Sequence, residues 1–175
     1  MVRSEMSKWE RAKDPEVEVY HPNRQEPAVQ TTRVAFVLLL VASIVLMVVI
    51  TVGGWNALAG MKPVQFGFIV VYAVMVVQAV RWSRGSLPVS AALAVILAIL
   101  ALVSVSSWFD RNKVGFTSPG LPESTLGLLT AILVPVQILI IAVAMRGFSQ
   151  GWNVEEERPL RRDGRDFADP RSRTA

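Results

Sequence analysis

The stretch VAFVLLLVASIVLMVVITV, residues 34–52, decides the fold class of this chain. It is 19 residues long, contains no charged side chain, and consists mainly of Val, Leu and Ile. An α-helix rises about 1.5 Å per residue and the hydrocarbon core of a bilayer is about 30 Å thick, so roughly 20 apolar residues cross it. Residues 34–52 therefore predict a transmembrane helix.

Three further uncharged, apolar runs follow at residues 63–80, 87–107 and 124–145. Within a bilayer every backbone polar group needs an internal hydrogen-bond partner, which leaves only helices and closed barrels as spanning structures. The alternating polar residues of barrel strands are missing from these runs. The chain is thus expected to be an all-α membrane protein, a four-transmembrane-helix bundle. A polar, loosely ordered leader (1–33) and a charged, disordered tail (146–175) are expected to flank it.

The basic residues predict the orientation of the four spans. Of the 18 Lys and Arg residues, six lie in the leader, two in the second connection and seven in the tail, whereas the first and third connections together hold three. Positive residues near span ends are retained on the cytoplasmic side. We therefore expect both termini to be cytoplasmic. The Val-, Ala- and Arg-rich composition without cysteine is compatible with a high-GC bacterium, so the expected membrane is the bacterial inner (cell) membrane.

One alternative topology follows from residues 57–60, whose Ala-Leu-Ala-Gly sequence resembles a signal-peptidase site. Cleavage there would leave three spans and a new external N-terminus. However, the 33-residue leader and the 19-residue apolar run are both longer than a cleavable signal usually has. An intact first span is therefore preferred, with cleavage as the alternative.

Tryptophan side chains mark the ends of the predicted spans. An indole ring combines an apolar body with an N–H donor and is favoured at the headgroup level of a bilayer. One tryptophan lies just past the end of each span, and all four are predicted to be interface anchors: Trp55, Trp82, Trp108 and Trp152.

The third span carries small side chains at helical spacing. Small residues let two helix backbones approach closely, which is a main route to helix association in lipid. We predict a helix-packing face, directed within the bundle or toward another protein, that consists of Ala91, Ala94, Ala98 and Ala101.

A second set of residues is a candidate polar cavity. Pro135 removes a backbone hydrogen bond in the fourth span, and the Gln137 amide lies two residues further on. Together with Gln78, these residues would line a small polar space at a kink. The competing interpretation is that Gln137 hydrogen-bonds to the disturbed backbone or to a neighbouring helix.

The predicted spans contain no Asp, Glu, Lys, Arg or His. Ionisable groups at mid-membrane are costly and usually mark ion or proton pathways, so proton-coupled transport by this chain alone is not expected. The sequence also shows no Ser-His-Asp catalytic set, no paired carboxylates in an apolar setting, no phosphate-binding glycine loop and no ligand spacing suited to zinc. We therefore expect no catalysis, no cofactor, no metal and no nucleic-acid binding.

The function that remains is that of a non-catalytic accessory or scaffold subunit that acts through helix packing. Its expected partners are the lipid bilayer and either other membrane-protein subunits or a second copy of itself. The alternative is a small homo-oligomeric transporter or channel without an intramembrane charged group.

Overall fold

The computed structural model describes residues 17–20, 26–83, 85–113, 115–152 and 156–159. They belong to two separate compact units, and one of these includes the described parts of both chain ends. In that unit, β1 (Val17–Tyr20) pairs antiparallel with β2 (Glu156–Pro159), with Val17 opposite Pro159 and Tyr20 opposite Glu156. No strands were expected in these two segments from the sequence. Most of the leader and tail, on which the predicted loose order falls, lies outside the described residues.

The other unit, residues 23–153, contains four long helices in its described part. They are α1 (Pro27–Gly53), α2 (Lys62–Val80), α3 (Ser86–Phe109) and α4 (Glu123–Ser149), with 3-10 turns at Ala59–Met61 and Asp110–Asn112. All four are long and apolar enough to cross a membrane. The prediction of an all-α unit with four membrane-length helices is therefore confirmed, and this architecture suggests a multi-pass membrane protein.

The helices extend beyond the predicted apolar runs at several ends. α1 begins at Pro27, where the ring fixes φ and the missing N–H is one that the first helical turn leaves without an intrahelical partner. The last seven residues of the predicted leader are therefore helical. At the other end of the unit, α4 begins with Glu123, a carboxylate favoured by the helix dipole, and continues past Arg146 to Ser149. Hydropathy identifies the membrane-length core of each helix, whereas capping residues outside that core set its ends.

The four helices pack in the order α2–α1–α4–α3. The most extensive contact is between α3 and α4, followed by α1 with α4 and α1 with α2, whereas α2 and α3 contact each other little. Buried residues recur every three or four positions, as at Phe36, Leu40, Ser43 and Met47 of α1. Large apolar side chains elsewhere on the helices are exposed, as expected of a surface that faces lipid.

The Gly53–Gly54 pair leaves room for neighbouring side chains and does not adopt the dihedral angles that favour glycine. Gly53 is helical and Gly54 has φ −97°, so neither occupies the left-handed region. A Cβ on Gly53 would lie 2.4 Å from Leu121 Cδ1, and one on Gly54 would lie 2.5 Å from Trp108 Cη2. The Gly53 carbonyl also accepts hydrogen bonds from the backbone N–H groups of Gly120 and Leu121. The third connection and α3 approach these two residues so closely that a larger side chain would collide with them, which explains why both positions are glycine.

Candidate functional site

A buried chain of hydrogen bonds joins three of the four helices. The Tyr72 hydroxyl of α2 donates to Gln137 Oε1 of α4 at 2.6 Å, and Gln137 Nε2 donates to the Ser43 hydroxyl of α1 at 2.9 Å. All three side chains are fully buried, with 0% exposure. Each also lies near the middle of its helix, where a bilayer supplies no water as an alternative partner. We call Ser43, Tyr72 and Gln137 the core triad.

The other interior hydroxyl groups are mostly satisfied by their own helices. The hydroxyls of Thr32, Thr51, Ser104 and Thr130 each donate to the carbonyl four residues earlier. Among the described residues, Ser90 Oγ is the one buried side-chain polar atom without a hydrogen bond. The polar side chains inside the bundle are therefore largely used in internal bonds.

The predicted cavity set is not brought together. Gln78 is exposed on α2, and six residues, or about 9 Å of helix, separate it from Tyr72 of the core triad. Pro135 is exposed on the outside of α4, which continues as a helix through it. The Gln137 amide bonds to two neighbouring helices. The competing interpretation offered it two kinds of partner, the disturbed backbone or a neighbouring helix, and the observed partners are of the second kind. Tyr72 was missed, although a lone phenol in an apolar span is itself a signal, because a buried tyrosine O–H usually needs a partner.

The predicted packing face of α3 is turned toward the interior of the unit. Ala94 and Ala101 are buried, and Ala91 and Ala98 are half-buried. This burial matches the extensive contact between α3 and α4. Small side chains account for it, because they let the two backbones approach closely.

The four tryptophans differ in their surroundings. Trp55 is 45% exposed, with the Lys62 ammonium 4.4 Å from its ring centroid. Trp82 is half-buried, whereas Trp108 and Trp152 are buried. An anchoring ring has to reach the headgroups, so the surroundings of Trp55 and Trp82 fit anchoring better than those of the other two.

Arg33 joins α1 to the carboxyl end of α2. Its guanidinium donates to the carbonyls of Ala79, at 3.2 Å, and of Val80, and its Cζ lies 4.2 Å from the ring centroid of Trp82. A cation at a helix carboxyl end is favoured by the dipole and supplies partners to the last carbonyls. The Trp82 ring also packs edge-on against Trp152, with 5.8 Å between ring centroids.

Trp82 itself has a backbone conformation that is rare for a bulky residue. Its φ is +60°, and its N–H donates to the Ala79 carbonyl while the Ser83 N–H donates to the Gln78 carbonyl. This is the Schellman arrangement, which usually places glycine at the left-handed position. A bulky side chain there costs about 1–3 kcal/mol. In this conformation the Trp82 ring contacts both Arg33 and Trp152.

A cavity of about 320 Å³ lies at the end of the bundle where the first and third connections are found. It separates α2 from α3, the two neighbouring helices with little mutual contact. Its walls include Phe68 of α2 and Leu100 of α3, and its polar lining includes Gln65, Ser107 and Arg111. We call this cavity the α2–α3 groove.

Comparison with protein-family models, with curated proteins and with solved structures found no match to this chain.

Proposed function

We propose that this chain is a non-catalytic accessory or scaffold subunit of a bacterial inner membrane, which it crosses four times and in which it acts through helix packing. The observation that carries the proposal is the core triad. The polar groups at the middle of α1, α2 and α4 bond to one another and are fully buried. A pathway for ions or polar solutes needs such groups directed into an open path, whereas here they hold the helices together.

One observation supports the cytoplasmic orientation, and a second supports the placement of both termini on the same side. The distribution of Lys and Arg favours cytoplasmic termini. In addition, β1 precedes the four helices and β2 follows them, and these two strands pair with each other. Two strands that pair with each other must lie on the same side of the membrane. An even number of spans places the two flanking segments on the same side, so the pairing is consistent with four spans.

The exposed face of α2 is the proposed docking surface for a partner helix. Of the four helices, α2 has the smallest buried share of its apolar window, 17%. Gly67, Val71, Val74 and Gln78 are all exposed and lie within one stripe, since their spacing of three or four residues matches the helical repeat. We call this stripe the α2 face.

The composition of the α2 face suits helix docking better than lipid contact. Gly67 allows a close backbone approach, because a Cβ built on it meets no atom within 4 Å. Gln78 offers an amide that forms an interhelical hydrogen bond of about 0.6 kcal/mol on average.

The test is quantitative co-purification from membranes in mild detergent. We expect a stable hetero-complex with the wild-type chain, and its loss with Gly67→Leu and with Gln78→Leu. Ala73→Leu is the matched control, because Ala73 is exposed on α2 at about 120° from Gly67 around the helix axis.

Two results would contradict the proposal. A pure homo-oligomer that conducts ions or solutes in proteoliposomes would favour the small transporter or channel instead. Equal loss of the complex with all three variants would mean that the α2 face has no specific part in it.

A further inference from the structure

The α2–α3 groove has the form of a binding site for an amphiphile. At one end its lining contains Arg111 and Ser107 of the α3 end and the Gln65 amide of α2. Deeper in the bundle its walls are mainly apolar, as at Phe68 and Leu97, and the hydroxyls of Ser104 and Thr130 in the lining are bonded to carbonyls of their own helices. A molecule with a polar head and a hydrocarbon chain matches this division.

The charge at the mouth of the groove is positive. Arg111 is half-buried, and its guanidinium lies 5.1 Å from the centroid of the Trp108 ring. None of the described residues that line the groove is an aspartate or glutamate. The neighbouring Asp110 carboxylate is engaged by Lys113 at 2.7 Å and is exposed. Arg111 is therefore available for an anion, and its planar guanidinium suits a phosphate group.

The donors around Arg111 reinforce this preference. Gln65 is half-buried and lines the groove beside Arg111 and Ser107. An amide N–H₂ group donates two hydrogen bonds, and a serine hydroxyl such as that of Ser107 donates one. Phosphate oxygens are strong acceptors for both kinds of donor.

The chemistry of the groove favours an acyl chain as its occupant. The groove, of about 320 Å³, has apolar walls at Phe68, Leu97 and Leu100 that can hold a segment of a flexible hydrocarbon chain. Arg111 at its mouth can pair with the phosphate that a phospholipid carries at the head of such a chain.

We infer that the α2–α3 groove binds one anionic phospholipid from the leaflet on the side of the first and third connections. An acyl chain lies between α2 and α3, and the phosphate contacts Arg111. This inference goes beyond the proposed accessory role and does not depend on it, because the site lies within a single chain.

The first test is lipid binding to the purified, delipidated chain by native mass spectrometry. Phosphatidylglycerol is the anionic probe and phosphatidylcholine the zwitterionic comparison. We expect one tightly held phosphatidylglycerol and a fall in affinity of about tenfold, or 1.4 kcal/mol, with Arg111→Gln. Arg81→Gln is the control, since it removes the same charge from an exposed position at the opposite end of α2, outside the groove, and its affinity should stay within about twofold of wild type. Equal effects of the two variants would overturn the inference.

The second test fills the groove without changing charge. Ser104 is half-buried and lines the groove, so Ser104→Phe is expected to abolish retention of phosphatidylglycerol. Val103→Phe is the control, because Val103 is 68% exposed on the outside of the same helix. Full retention with Ser104→Phe would overturn the inference. So would a photoreactive residue at position 104 that cross-links in membranes to another polypeptide rather than to lipid.

Discussion

Replacement of Gln137 by leucine tests the core triad most directly. The side chain keeps a similar length and becomes apolar, while the hydroxyls of Tyr72 and Ser43 both lose their bond to it. Interhelical hydrogen bonds in membrane proteins contribute about 0.6 kcal/mol each on average, with a maximum of about 1.7 kcal/mol. Two such bonds contribute about 1.2 kcal/mol, and we expect Gln137→Leu to lower the free energy of unfolding by about 1–2 kcal/mol.

The single-bond variants divide this effect between the two bonds. Tyr72→Phe and Ser43→Ala are each expected to cost about 0.6 kcal/mol or somewhat more in the wild-type background, because each leaves part of the Gln137 amide unpaired. In the Gln137→Leu background the same two changes should cost almost nothing, since the bonds are already absent. This difference is the coupling energy that a double-mutant cycle measures.

The assay is reversible unfolding of the purified protein in bicelles or mixed micelles, followed by helical circular dichroism. Gln78→Leu is the matched control, because it makes the same change on α2 at an exposed position. In the isolated chain it should leave stability unchanged within about 0.5 kcal/mol. If Tyr72→Phe has the same effect whether residue 137 is glutamine or leucine, the core triad does not join the helices.

Three further predictions concern the ends of the bundle. Arg33→Gln should destabilise the protein by about 1–2 kcal/mol in the same unfolding assay, because it removes a charged donor from the carboxyl end of α2. Gly54→Ala should cost about 1–3 kcal/mol, since the added Cβ would lie 2.5 Å from a buried indole carbon; Gly60→Ala, with no atom within 4 Å, should cost less than about 1 kcal/mol. The chain has no cysteine, so Asn56→Cys should react with a membrane-impermeant maleimide in intact cells, and Gly85→Cys only after permeabilisation; the opposite pattern would reverse the proposed orientation.

The existence of four long helices was predictable because hydropathy is a local property of the sequence, and a bilayer favours a helix wherever an apolar run is long enough to cross it. Residues 34–52 fall wholly within α1, and the other three apolar runs fall within α2, α3 and α4. Helix ends were less predictable. The start of α1 at Pro27 depends on helix capping in a polar segment, and a search for apolar runs does not detect such a segment.

The candidate site was only partly predictable. Gln137 stood out as an amide within an apolar span, but its partners come from helices 65 and 94 residues away in sequence. The four tryptophans are equivalent in sequence as markers of span ends. Only the packing of the helices determines that Trp152 is buried beside Trp82 while Trp55 is exposed.

The sequence by itself determined the helical architecture and the number of membrane-length segments, because an uninterrupted apolar run about as long as a bilayer is thick can satisfy its backbone only as a helix in lipid. Tertiary structure alone decided which polar side chains meet, which glycines leave room for a neighbour, and where the bundle opens between α2 and α3. The reason is physical: helix formation in lipid depends on local composition, whereas helix association depends on complementary shapes and hydrogen bonds between distant segments.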